Sequence, residues 1–436
     1  MPTTDPPGAG GLEARAAAMR ETIEAHFFDD RGWLIERINR ETMRPYARDE
    51  LPEAAQGYTD DDAEPATAAE RATYEDTMFC TGLYLWGLVE QHRVTGERAA
   101  RAVADRVFDD LQPLIAANDR IQPGYIGKPW GGRPRRRTTL DQTWYFTFGL
   151  HRYMEIADGA RRRRAGEIIA ANVDWWMGRD YHDFQFPGEA VSGWLSPAFG
   201  GCMTAEVVLA HLATGEARYR DEWHRLQRVH KTDWFPTRRL HRWLPVDETG
   251  RKTRLIAMWH HAVAPALWTM AKAEPDRLPH WQERFVDWWR RELRLGLRDD
   301  GLTDVCVRVN LADETEEPIR PEEARLVTER PEYAELCRRN LKLQSWLCAA
   351  RSSYFSAHTA VSAALLAETV PWMAEEARRA LHCVLGQLDV MDFVEFTDPD
   401  GRQWPPERRH NLHTLTVFGM AAWLVAYWHA RRLGLI

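Results

Sequence analysis

The sequence predicts an all-α fold: an (α/α)6 toroid of six helix hairpins, with its long loops on one face. Three observations carry this. Short breaks recur near residues 95, 158, 214 and 274, roughly every 60 residues, the mark of a repeated supersecondary unit. Two of them, Thr95-Gly96-Glu97 and Thr214-Gly215-Glu216, are the same break written twice. Long irregular stretches precede one class of helix, and short breaks follow it, so the two ends of the repeat are unlike. A closed ring is preferred to an open solenoid. The last helix, with Phe418, Met420, Trp423, Leu424 and Trp428, is too apolar to be a solvated end.

The elements follow in order. Residues 1–11, rich in Pro and Gly, read as a disordered tail, and the whole of 1–436 reads as one domain. Helical spacing runs from Glu13 to Phe27, and residues 28–70 then read as a long loop. Phe79, Cys80, Leu83 and Gly87 form one face of a helix opening at Asp76 and ending at the Gly96 break, where a partner helix takes over until about 117. A loop over 118–140 leads to a helix from Asp141 to Ala157, and Asp158-Gly159 leads to another ending near Met177. The third hairpin turns at Gly215. Residues 230–256 are irregular, with a hairpin turn expected at Asp247-Glu248-Thr249-Gly250. Helices over 257–272 and on to 295 flank Pro275. Residues 296–350 are an insertion with a short helix expected near Ala334–Leu347. Helices over 352–367 and 372–386 follow, and Leu412–Arg431 closes the chain. Six helices thus start after long loops, near 76, 141, 199, 257, 352 and 412, and form the inner ring. Their N-termini share one mouth, where helix dipoles favour anions. That mouth should collect Asp76, Asp141, Ser196, His260, His261, Arg351 to Ser353, His410 and His413.

Composition narrows the function. A net charge of -8, from 57 Lys and Arg against 65 Asp and Glu, does not suggest a nucleic-acid binder. The six cysteines, Cys80, Cys202, Cys306, Cys337, Cys348 and Cys383, lie far apart without a CxxC pair. They read as thiols in a reducing compartment, with neither disulfide framework nor metal site. The sequence lacks an apolar run long enough for a membrane span, and the expected location is cytoplasmic. Twenty tryptophans exceed ordinary usage; core packing accounts for most, and stacking on sugar rings is the other use.

The sharpest chemical signal is a pair of carboxylates at equivalent places in neighbouring repeats. Asp76 follows Thr73-Tyr74-Glu75, and Asp141 follows Thr138-Thr139-Leu140, 65 residues later. Both stretches have the form of a capping box, in which a carboxylate at the third helical position answers a threonine cap. Against capping, later inner helices open with His and Arg, so carboxylates are confined to two adjacent repeats. A local acid/base pair has that distribution.

Residues 71–160, about a fifth of the chain, resemble the unsaturated glucuronyl hydrolases of the six-hairpin glycosidase superfamily. The likeness lies in Asp76-Thr-Met-Phe-Cys-Thr-Gly-Leu-Tyr-Leu-Trp86, running on to Thr95-Gly96-Glu97. It continues in Gly124-Tyr-Ile-Gly-Lys-Pro-Trp130 and Asp141-Gln142-Thr143. It implies a glycoside hydrolase acting on a uronic-acid-containing or unsaturated uronyl oligosaccharide, with Asp141 as acid/base and Asp76 as its partner. The family's serine-tryptophan-arginine-glycine stretch has no clear counterpart; Ser192-Gly193-Trp194-Leu195-Ser196 is the nearest text.

Around the pair, Lys128, Arg133 and Arg135 to Arg137 are candidates for a sugar carboxylate, against a solvated loop. Trp130, Trp144 and Trp194 are candidates for stacking on sugar, against core packing. His260, His261, Arg351 and His410 complete the expected binding set. With His358 and His413, these histidines also support a second reading, a sugar 2-epimerase or isomerase that moves a proton beside a carbonyl. A non-catalytic carbohydrate-binding or scaffold toroid is the third. Asp60-Asp61-Asp62 reads as solvated loop charge. No cofactor or metal is expected; the partner is an oligosaccharide or small sugar, and oligomeric state is not readable.

Overall fold

The computed structural model describes residues 9–51, 64–183, 192–193, 200–230, 251–255, 260–290, 297–304, 306–310, 316–318, 351–394 and 413–436. Six inner helices run over Thr77–Thr95, Leu140–Tyr153, Gly200–Thr214, His260–Ala273, Ser353–Thr369 and Val417–Arg432. The outer helices are Ala9–His26, Arg98–Asp110 continued by Gln112–Ile121, Gly159–Met177, Ala217–His230, Leu278–Trp288 and Ala374–Gln387. Each inner helix packs on the next, and the sixth packs on the first, so the ring closes. The fold is the expected (α/α)6 toroid, and the open solenoid is excluded.

Burial separates the two rings. In the first inner helix every residue from Thr77 to Gln91 is buried, and in the sixth every residue from Val417 to Ala430. The outer helix Arg98–Asp110 buries only Ala100, Val103, Ala104, Val107 and Phe108, the stripe of an amphipathic surface helix. Two inner helices touch through glycines. A Cβ on Gly82 would lie 2.0 Å from the carbonyl oxygen of Tyr145, and one on Gly149 would lie 2.2 Å from that of Gly82. Only hydrogen fits at this crossing.

The two matching breaks are built identically. Gly96 and Gly215 take left-handed φ values of 69° and 74°, and their N–H groups donate to His92 O and His211 O at 2.8 and 2.7 Å. In each, the preceding threonine hydroxyl donates back to Gln91 O or Ala210 O, and the histidine Nδ1 donates forward to Glu97 O or Glu216 O. The repeat is therefore His-x-x-Thr-Gly-Glu, with the histidine latching the turn.

Several boundaries differ from expectation. The first helix starts at Ala9, inside the segment assigned to a tail. The outer helix expected over 98–117 breaks at Leu111, because Pro113 in the first turn of the next helix has no N–H to continue the ladder. The stretch 28–70 is not all loop. It holds the strand Arg37–Asn39 and the start of the helix Ala68–Tyr74, whose Thr67 and Glu70 form a capping box. The last helix begins at Val417 instead of Leu412, since Thr414–Thr416 pairs antiparallel with Arg37–Asn39 and is held extended. The start expected near 257 falls outside the described residues, which show the helix from His260. From the insertion 296–350, Cys306–Asn310 pairs with Arg251–Leu255 and with Glu316–Pro318, and Thr303–Asp304 pairs with Arg351–Ser352. The turn at 247–250 and the helix at 334–347 lie outside the described residues.

At the C-terminal ends of the inner helices, a charged cluster lies across the ring. Arg152 and Arg432 donate to Glu90, Lys272 and Arg432 to Glu368, and His429 Nε2 sits 2.8 Å from Glu368. The His429, Arg152 and Arg432 charges hold the Glu90 carboxyl well below its ordinary range, against the desolvation of burial. Among the described residues, no helix is long and apolar enough to cross a membrane.

Candidate active site

Neither helix start carries the expected capping box. Asp76 occupies the N-cap position of the first inner helix without a side-chain cap bond, and Thr139, cap of the second, also makes none. The hydroxyls of Thr73 and Thr138, which the capping-box reading needs, have no hydrogen-bond partner. The Asp76 carboxylate is turned to Gln142 and Lys128, whereas Asp141 Oδ1 accepts a first-turn N–H of its own helix, that of Gln142.

The two helix starts are linked by Gln142. Its side-chain amide donates to Asp76 Oδ1 and, at 3.1 Å, to the carbonyl of Glu75. It follows Asp141, whose Oδ1 accepts the Gln142 backbone N–H at 3.1 Å. Asp141 Oδ2 has no protein partner among the described residues, and the Asp141 side chain is half-buried. The Asp76 side chain is 19 % exposed, and its backbone N–H donates to Glu36 Oε2 at 2.8 Å.

Lys128 is buried beneath the pair. Its Nζ lies 2.5 Å from Glu75 Oε1 and 3.5 Å from Asp76 Oδ1. Trp130 Nε1 donates to the other Glu75 oxygen at 3.0 Å. The loop that places them is fixed from both sides: Lys128 N donates to Arg137 O at 2.8 Å and Arg135 N to Lys128 O at 2.9 Å. Gly124 makes the entry to this loop possible, with φ 76° and the Ala171 carbonyl 2.0 Å from where a Cβ would sit. Arg137 lies over the Trp130 ring at 5.5 Å.

Burial pushes the Asp76 carboxyl above the ordinary carboxylate range; the Asp141 and Glu75 charges add to it, while Lys128 and Arg37 oppose. Deeper in the ring, Glu206 on the third inner helix is fully buried. Thr147 Oγ1 donates to its Oε1 at 3.1 Å, its Oε2 has no partner, and burial raises its carboxyl to about 8.

The expected binding residues sort differently from the aspartates. Trp130 is buried and turned to Glu75, so it does not stack on sugar. Trp144 is buried, donating to Ala262 O at 3.2 Å, and is core. Arg133 is out on the surface, donating to Glu64. Lys128 is too deep and too fully engaged to reach a sugar carboxylate. His260, His261 and Arg351 are placed only by their backbones, in the first turn of the fourth inner helix and in the strand before the fifth. Ser196, Trp194 and His410 lie outside the described residues. Of the remaining histidines, His358 is buried against Phe79, Tyr145 and Phe418, and His413 is exposed beside Glu41. Glu36, Glu75 and Gln142 are the site residues that the sequence reading missed. Two of them adjoin the aspartates in the chain, and that adjacency was the only available signal.

No protein-family model matches the sequence, nor does any curated protein. Solved structures do match in fold. A possible member of the GH105 family from Klebsiella pneumoniae aligns over 100% of this chain and 96% of its own, at 10% identity and a TM-score of 0.54. An unsaturated glucuronyl hydrolase specific for heparin aligns over 98% and 97%, at 9% identity and 0.52. A D-mannose isomerase aligns over 98% and 99%, at 9% identity and 0.50. The fold is thus that of the six-hairpin glycosidases, and it is shared by an isomerase, so the chemistry has to be argued from the site.

Proposed function

We propose that the protein is a glycoside hydrolase acting on an unsaturated uronyl or other uronic-acid-containing oligosaccharide, with Asp141 as acid/base and Asp76 as its partner. The observation that carries this is the meeting of both aspartates on Gln142, whose side-chain amide donates to Asp76 and whose backbone N–H donates to Asp141. Asp141, whose Oδ2 no described protein group claims, is the carboxyl placed to give a proton to the substrate, and Asp76 is its partner. In an unsaturated uronide, the proton adds to the enol-ether carbon remote from the ring oxygen. Water guided by the same carboxylate adds to the other carbon, and the hydrated ring opens to release the second sugar. In an ordinary inverting glycosidase the same pair would protonate the leaving oxygen and activate water.

Asp141→Asn should lower turnover by about 10²–10⁴-fold with the fold intact. The assay follows loss of the conjugated ultraviolet band of unsaturated uronyl oligosaccharides, with circular dichroism as the fold control. Full activity in the variant would end the assignment. The epimerase reading draws on the isomerase that shares the fold. Solvent deuterium appearing at C2 of a free sugar would favour it instead.

A further inference from the structure

We propose that Lys128 is a positioning residue of the aspartate pair, one buried ammonium divided between Glu75 and Asp76 so that the division sets how firmly Asp76 keeps its proton. The inference rests on the reading of the two aspartates given above and deepens it by assigning an electrostatic role to Lys128 and Glu75.

The argument is a local charge balance. Around Asp76 stand Glu75 from its own helix start and Glu36 and Arg37 from the N-terminal strand. Lys128 comes from the loop below and Asp141 from the second inner helix. Arg37 is engaged by Glu36 at 2.9 Å, both side chains being nearly buried. Lys128 is the cation that reaches both Glu75 and Asp76, while Arg37 also acts on Asp76 from its pairing with Glu36. Two carboxylates that share one buried cation are not both ionised at little cost, so where the cation sits decides which of them gives way. The cation sits closer to Glu75, at 2.5 Å against 3.5 Å for Asp76. Glu75 is held there from its other oxygen by Trp130, and Lys128 is held by its backbone ladder. Glu75 therefore competes with Asp76 for the same charge, and removing it should release Lys128 to Asp76.

Opposite shifts test this. In full-length protein carrying carboxyl-¹³C aspartate, the Asp76 resonance, assigned by its loss in Asp76→Asn, is followed against pH. Glu75→Gln should move its midpoint down by about one unit, and Lys128→Met should move it up by about 1–3 units. Since Lys128→Met leaves Glu75 buried without its cation and is at risk of misfolding, the double variant Lys128→Met with Glu75→Gln removes both charges and should fall between the two. The acid limb of turnover should move in the same directions. An unchanged midpoint in Glu75→Gln would overturn the proposal, whatever the loss of activity. Midpoints that shift in a protein that turns over no uronyl substrate would uphold the role of Lys128 and sink the hydrolase reading. Turnover abolished by Asp141→Asn, with midpoints that stay fixed, would do the reverse.

Discussion

Glu206 has nowhere to place a negative charge. Burial raises its carboxyl to about 8, and only the Thr143 and Thr147 hydroxyls oppose. Unfolded, the group titrates near an ordinary glutamate, at roughly 4.3. The folded state therefore binds the extra proton, and this contribution to stability is full below about 4.3. It falls as pH rises, by on the order of 1 kcal/mol per unit, until Glu206 itself ionises near 8. Glu206→Gln keeps an acceptor for Thr147 and removes the titration. Its urea midpoint relative to the parent should rise steadily from pH 6 to pH 8; parallel pH curves would show that the acid is not protonated in the fold. The two aspartates could be singled out at this scale because they fall at equivalent repeat positions. Their supports could not: Lys128 and Glu75 are 53 residues apart, and nothing in spacing says that a lysine in a basic, Gly-rich loop turns inward to a glutamate. Trp144, three residues from Asp141, shows the converse. Helical proximity put it beside the site, and the side chain went to the core.

At the scale of elements, punctuation was the most readable text. Glycine in the left-handed region stops a helix wherever it stands, so the Gly96 and Gly215 breaks were visible without a structure. The strand Thr414–Thr416 was not, since its partner is residues 37–39 at the far end of the chain. Two glycines separate the kinds of constraint. At Gly96 a Cβ would meet nothing within 4 Å, so Gly96→Ala should cost only the left-handed penalty, about 1–2 kcal/mol. At Gly82 the added carbon would meet backbone 2.0 Å away, which cannot yield as a side chain does. Gly82→Ala should cost about 3 kcal/mol or more, beyond the usual range for overpacking. It should also reduce turnover, because the helices it forces apart are the two that carry Asp76 and Asp141. Thermal midpoints of the two variants check the order; a milder effect at Gly82 would show that the crossing is not close-packed.

At the scale of the molecule, the ring closes where the chain ends meet. Arg37–Asn39 pairs with Thr414–Thr416, and Arg431 reaches Glu13 at 3.5 Å. Closure was legible from the apolar last helix, whereas the strands that clasp it depend on contacts across nearly the whole sequence. A circular permutant, its original ends joined by a short Gly/Ser linker and reopened between Gly215 and Glu216, should fold with the parent's far-ultraviolet spectrum and its activity. The new ends would fall at an exposed turn whose glycine touches nothing. Failure to fold would mean that the order of helices, and not the ring alone, is required.

Glu36 sits on that clasp. Its carbonyl accepts the N–H of Val417 at 3.0 Å, while its carboxylate accepts the N–H of Asp76. Asp76 and Asp141 belong to the first third of the chain, yet the residue that receives the Asp76 backbone is anchored by the last twenty. During synthesis on the ribosome, the two aspartates emerge long before this support exists. The site is completed only when the final helix leaves the exit tunnel and docks against residues made hundreds of positions earlier. A nascent chain stalled short of Val417 should hold most of its helices and still lack the assembled pair.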